Sequence, residues 1–328
     1  PHTVMSLPRD PEDQDFVKWF HPEETEEYKE FFERFGFVAV KVLTQEECDE
    51  SIEDIWDYVE ATNFLHPSSK EKIVRNDWST CSNTIWPGIR TEGILGPRLA
   101  FSPVALARRQ NKNVYNVFAE LLGTPHIMSN HDRYGLFRPT KNVLVGDQKR
   151  NFKEWKTKEN LHLDGNPWEY VLHPRGDSCE DLEYRMHSDF IEENNDLPPY
   201  SEDSLHVQGL LNFMDNRAQD GGFQLVPGFA KNIKEWATRT QDTIGARYRH
   251  QSFVVLPNDL PELKSAERIS VPAGCLIVWN QYTAHGSKPN YSERARYCQF
   301  IKFFRSIDIH SNRGQKRAQA IWKQLEQQ

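Results

Sequence analysis

The chain has 328 residues, 38% of them hydrophobic, and a formal net charge of −8. That is enough apolar material for one large or two modest cores. The acidic balance speaks against a nucleic-acid partner, whose phosphates need Lys and Arg in excess, and no apolar run approaches the roughly 20 residues of a membrane-spanning helix.

Five cysteines (Cys48, Cys81, Cys179, Cys275 and Cys298) show no CxxC spacing. This argues against a disulfide framework or a zinc-cysteine site and points to a reducing, cytoplasmic setting. Residues 1–22 are Pro-rich and charged and read as an arm, followed by a single domain over 23–328. A helix is expected from about Pro22 to Arg34, with Tyr28, Phe31, Phe32 and Phe35 as its apolar stripe and Gly36 as its stop. Phe37–Val42 reads as a strand. Thr44 and Glu47 form a capping box that opens a helix to about Val59. Residues 62–100 are loop-rich, and one further helix is expected from Val104 to Leu122, ending at Gly123.

After this helical part (about 23–123) come short strands with turn signals between them, the pattern of a β-sandwich or barrel over about 124–306. The expected strands are His126–Asn130, Leu161–Asp164, Leu205–Phe213, Phe223–Val226, Ser252–Leu256, Arg268–Val271, Leu276–Trp279 and Arg296–Phe304. Residues 171–204 are poor in apolar side chains and read as an insertion, a substrate lid together with the loops around 62–100 and 133–160. The stretch from Arg133 to Lys158 is locally basic in an acidic chain, which hints at a carboxylate- or phosphate-bearing small molecule.

The chemistry concentrates in His162-Leu163-Asp164 and in His285, about 120 residues later. In a strand, residues i and i+2 share a face, so His162 and Asp164 project together at the strand end that Gly165-Asn166-Pro167 enforces. Two imidazoles and one carboxylate can hold one face of Fe(II) and leave the other face open for a co-substrate and oxygen. A second such triplet, His187-Ser188-Asp189, stands in a context that reads as a helix start and is the alternative ligand pair. His285 is followed by Ser287 and, on the next strand, by Arg294 and Arg296. A metal-chelating 2-oxo acid with a remote carboxylate needs a fixed cation several ångströms away, and a guanidinium fork suits that task. Arg296, deeper in the strand, is preferred as the anchor for 2-oxoglutarate, with the Ser287 hydroxyl beside it.

Four segments together resemble the phytanoyl-CoA dioxygenase-like (PhyH) family of Fe(II)/2-oxoglutarate oxygenases: Leu161–Trp168, Val207–Asn212, Asp220–Phe229 and Ala273–Arg296. The resemblance implies a mainly β fold with α: a double-stranded β-helix (jelly-roll, cupin-like) core with N-terminal helices packed outside. It implies His162, Asp164 and His285 as iron ligands, and Arg296 and Ser287 as the 2-oxoglutarate anchor. It also points to Asn130 and Arg133, on the strand that lines the cofactor pocket in that family. Departures from the family pattern are the long gap filled by 171–204 and Phe229-Ala230 after the Val226-Pro227-Gly228 turn.

Gln208, mid-strand among apolar neighbours, and Trp168 are expected to face the substrate. The expected cofactors are Fe(II), with 2-oxoglutarate and O2 as co-substrates, and the expected partner is a small-molecule substrate, with neither nucleic acid nor membrane. The expected reaction is oxidation of an unactivated C–H bond, usually hydroxylation. In length and character the chain also resembles, more loosely, the red-algal kainoid-forming cyclases, which implies oxidative ring closure of an N-prenylated glutamate as an alternative. Two further readings come from other classes. One is a metal-binding jelly-roll sensor or pseudoenzyme; the other is a carbohydrate-binding sandwich.

Overall fold

The computed structural model describes residues 5–96, 100–172, 205–249, 251, 253–306 and 311–326. Helix α1 (Thr25–Phe35) buries Tyr28, Phe31, Phe32 and Phe35. These positions are three or four apart and so form one face. Gly36 ends the helix in the left-handed region, at φ 77°, and its N–H donates to the Phe32 carbonyl. Strand β1 (Phe37–Lys41) follows, then α2 (Gln45–Ala61), which opens on the full Thr44/Glu47 capping box.

The long helix expected over 104–122 is instead two, α3 (Pro103–Arg109) and α4 (Lys112–Leu122). The break lies at Gln110-Asn111. The Asn111 side chain accepts hydrogen bonds from the Asn113 and Val114 amides, so it caps a new helix rather than continuing the old one. The N-terminal residues lie along the body of the protein. Leu7, Phe16, Val17 and Phe20 are buried, Val17 N–H donates to the Ser270 carbonyl, and Phe20 bridges Val40.

The rest is mostly strand: β2 (Ile127–Ser129), β3 (Tyr134–Phe137), β4 (Val143–Val145), β5 (Gln148–Arg150), β6 (Asn160–Leu163), β7 (Val207–Asn212), β8 (Gly222–Leu225), β9 (Val254–Val255), β10 (Glu267–Arg268), β11 (Cys275–Asn280), β12 (His285–Lys288), β13 (Arg296–Ile301) and β14 (Phe303–Arg305). Two five-stranded antiparallel sheets dominate, in the orders β1-β11-β7-β13-β3 and β10-β8-β12-β6-β9. From β6 to β8 and again from β10 to β13 successive strands alternate between these sheets, as in a double-stranded β-helix, while β8, β9 and β10 share the second sheet and β1 is added to one edge of the first. The strand expected over 296–304 is divided at Lys302, where β13 leaves its sheet and β14 pairs with β2.

One contiguous core runs from the aromatic face of α1 through α2 and α4 to the inner residues of β7, β11 and β13. A second, smaller cluster holds Leu161, Leu163, Trp168, Val226, Phe229, Trp236 and Tyr282. The expected insertion, with the alternative ligands His187 and Asp189, lies outside the described residues from 173 onward. Among the described residues, no helix is long and apolar enough to cross a membrane.

Candidate active site

The register of the β10-β8-β12-β6-β9 sheet builds the site. On β6 and β12, His162 lies directly opposite His285, and Leu225 of β8 flanks His285 on its other side. Leu163 points the other way, into the second cluster, so alternation carries His162 and Asp164 to the inner face. The imidazole rings of His162 and His285 stand 4.4 Å apart. Asp164 closes the group, with Oδ1 3.7 Å from His162 Nε2 and Oδ2 3.4 Å from His285 Nε2. One ligand atom from each residue falls within a 4.8 Å cluster.

The surrounding bonds aim these atoms. His285 Nδ1 lies 2.9 Å from the Thr283 carbonyl, which can only accept, so Nδ1 carries the proton and Nε2 turns its lone pair to the site. Gln208 Nε2 donates to Asp164 Oδ2 at 2.8 Å, and Gln208 Oε1 accepts from the Trp279 indole at 3.1 Å. Gln281 Nε2 donates to the Asp164 carbonyl at 3.0 Å. Burial and the neighbouring His285 push His162 down to about 4, so it is neutral and ready to ligate at pH 7. Burial would raise the Asp164 carboxyl, but the two imidazoles and the Gln208 amide outweigh it and hold the group well below the usual carboxylate range. Two imidazole nitrogens and an ionised carboxylate thus converge on one point, which suits a cation.

These residues form one wall of a cavity of about 250 Å³. Ser287 lies on the same wall, two residues along β12 from His285, opposite Phe223 of β8. Phe223, Phe253, Trp279 and Phe300 supply apolar surface, and Phe253 and Phe223 approach the rings of His162 and His285. Asn130 and Arg133 reach the lining, but much of their bonding capacity is spent. Asn130 Oδ1 accepts from the Lys302 amide, and Arg133 pairs with Asp132 at 3.2 Å. Arg296 lies beyond the lining, 3% exposed, over the Phe137 ring at 4.4 Å. Its Nε and Nη1 are buried without a partner.

Trp168 is not brought to the cavity. A single helical turn, Pro167–Tyr170, directs its indole against Trp236, and its Nε1 donates to the Ala237 carbonyl at 3.0 Å. It is part of the second core cluster, and its expected role toward the substrate is withdrawn. Sequence reasoning missed Lys302 and Gln281. Lys302 lines the cavity, 4% exposed, and its Nζ donates to Gln281 Oε1 at 3.1 Å. Burial pushes its ammonium down to about 8, against the opposing pull of Asp164 and Asp132.

A Dictyostelium discoideum protein described as "Putative phytanoyl-CoA dioxygenase" is 36% identical over 300 residues, spanning 89% of this chain and 79% of that one. The sequence profile of the phytanoyl-CoA dioxygenase (PhyH) family matches residues 173–298. The chain belongs to the phytanoyl-CoA dioxygenase family. It is accordingly an oxidoreductase that works with Fe(II), 2-oxoglutarate and O2. The profile match takes in His285 and Arg296 but begins downstream of Asp164. The pairing of β6 with β12 is therefore what joins His162 and Asp164 to the site.

Solved structures agree on the fold. A "Putative Oxidoreductase" of Salmonella typhimurium superposes with a TM-score of 0.53 at 14% identity, over 87% of this chain and 73% of that one. The GlcNAc-inducible gene 2 protein of Candida albicans gives 0.52 at 11% identity, over 87% and 66%.

Proposed function

We propose that this family member oxidises an unactivated C–H bond of a small, carboxylate-bearing molecule, with hydroxylation as the outcome. The observation that carries the reading is the convergence of His162, Asp164 and His285 on one wall of a largely apolar cavity. In this proposal the three residues hold Fe(II) by one face and leave the other toward the cavity. When bound, iron with 2-oxoglutarate supplies a two-electron oxidation of the substrate by O2, coupled to release of succinate and carbon dioxide.

The protein's own groups do the rest. Gln208 fixes the Asp164 carboxylate through one hydrogen bond and is itself fixed by Trp279. Ser287 and Arg296 receive the remote carboxylate of 2-oxoglutarate. The unpartnered Nε and Nη1 of a buried guanidinium favour this role, since such donors are costly to leave unmade. Phe223, Phe253 and Trp279 keep water from the reacting end of the substrate. The same free donors favour an enzyme over a metal-binding sensor, which has no use for a buried anchor.

The test is anaerobic loading with Fe(II) and 2-oxoglutarate, followed by air and a panel of small carboxylic acids. Succinate release and gain of one oxygen atom by one acid are expected, with both lost in His162→Ala. Failure to take up Fe(II), or undiminished turnover in His162→Ala, would sink the reading.

A further inference from the structure

Among the cations lining the cavity, Lys302 stands apart. Lys158 is exposed at the rim, and Arg133 is already paired with Asp132. Lys302 is buried, and no carboxylate of a described residue lies within ion-pairing distance of its ammonium. Among the described residues its ammonium makes one side-chain hydrogen bond, to Gln281 Oε1. An ammonium has three donors, and burying it with two of them unmet is expensive unless a ligand completes the set.

Its place on the fold says which ligand. Phe300, near the end of β13, and Lys302, just beyond it, both line the cavity. Six residues of strand separate the Cα atoms of Arg296 and Lys302 by about 20 Å. Phe300 pairs with Leu210 and Ile301 with Gly209, so the strand end that precedes Lys302 lies next to the neighbour of Gln208, which holds Asp164. The cation therefore stands at the level of the candidate metal ligands, while Arg296 lies at the other end of β13, beyond the lining. A single five-carbon diacid lying between the iron and Arg296 leaves Lys302 facing the remaining space.

We propose that Lys302 binds the carboxylate of the substrate and so selects acids over their neutral analogues. This deepens the oxygenase reading above and rests on it. Phe223, Phe253, Trp279 and Phe300 then receive the apolar body, so that the preferred substrate is an amphiphilic acid. The Gln281 bond holds the ammonium in place and links it, through the Asp164 carbonyl, to the strand end that carries the ligands.

The probes are hexanoate, benzoate and phenylacetate, each beside its carboxamide. Their binding to protein loaded anaerobically with Fe(II) and saturating 2-oxoglutarate is followed by calorimetry. At least one acid should bind about tenfold more tightly than its amide, the size of one charge-assisted hydrogen bond. Lys302→Met should abolish that preference and Lys302→Arg should keep most of it, both with 2-oxoglutarate affinity unchanged.

The proposal is overturned if the unmodified protein does not distinguish acid from amide, a comparison that needs no variant to fold. It is equally overturned if Lys302→Met retains the preference, or if that variant loses 2-oxoglutarate instead. A purely structural lysine would shift iron or 2-oxoglutarate binding without touching the acid-to-amide ratio. Failure of the unmodified protein to load Fe(II) and 2-oxoglutarate at all would remove the oxygenase reading itself, and this inference with it.

Discussion

Single side chains set the chemistry, and their partners matter as much as the ligands. Gln208 touches Asp164 from a different strand and holds one carboxylate oxygen toward the cluster. Gln208→Leu should leave the fold intact and weaken Fe(II) binding by about 10- to 100-fold, as loss of a ligand's supporting bond does elsewhere. Anaerobic Fe(II) titration measures it. His206 offers a pH test away from the metal ligands. Burial first, then Lys302 and Arg305, push it down to about 3 from an ordinary 6.5. The folded protein thus favours the neutral ring. Its contribution to stability is complete above pH 6.5 and is lost as pH falls toward 3, because the unfolded chain takes up the proton first. Thermal unfolding between pH 7 and pH 4 should show this loss, and His206→Asn should flatten the curve. At this scale much was legible: the shared face of His162 and Asp164, both of which the structure brings to His285, was readable because i, i+2 parity is a local rule. Lys302 was not, because nothing local marks a lysine as buried. Trp168 was misread because a turn of helix aims its indole away from the strand face that precedes it.

At the level of elements, the readable ones carry local signals. The stripe of α1 and the capping box of α2 appear where propensity and periodicity place them. The division of α3 from α4 depends on which bonds the Asn111 side chain makes, so Asn111→Ala should cost about 1 kcal/mol. Chemical denaturation should report that loss with an unchanged slope. Strand β12 (His-Gly-Ser-Lys) was missed for a different reason. It has no apolar alternation, and its extended form comes from being held between β6 and β8. The turn into β8 supports it. Gly221 has φ +72°, and a Cβ there would lie 2.7 Å from the Asn290 amide and the Lys288 carbonyl, both backbone. Gly221→Ala is expected to destabilise by about 2 kcal/mol and to weaken 2-oxoglutarate binding, since the displaced backbone follows Ser287. Unfolding and ligand titrations of that one variant check both effects.

Over the whole molecule, the candidate metal site joins β6, β12 and the start of β7, which are far apart in sequence. A ligand that bridges them stabilises only the folded state. At a hundredfold excess over its dissociation constant it should contribute about 2.7 kcal/mol, and Tm should rise by about 5 °C for a chain of this size. Mn(II) with 2-oxoglutarate, which avoids oxidation, should give that rise in a thermal melt, and His162→Ala should abolish it. By itself, the sequence determined the fold class, the helical start, the candidate ligand residues and the family resemblance, since these rest on local periodicity, turn chemistry and motif order. Only the tertiary structure decided that His162 and not merely some HxD stands opposite His285, that Trp168 turns into a core, and that a buried Lys302 faces the cavity. Those outcomes depend on strand register and on which face each sheet buries, and register is an interaction between distant segments that no local pattern encodes.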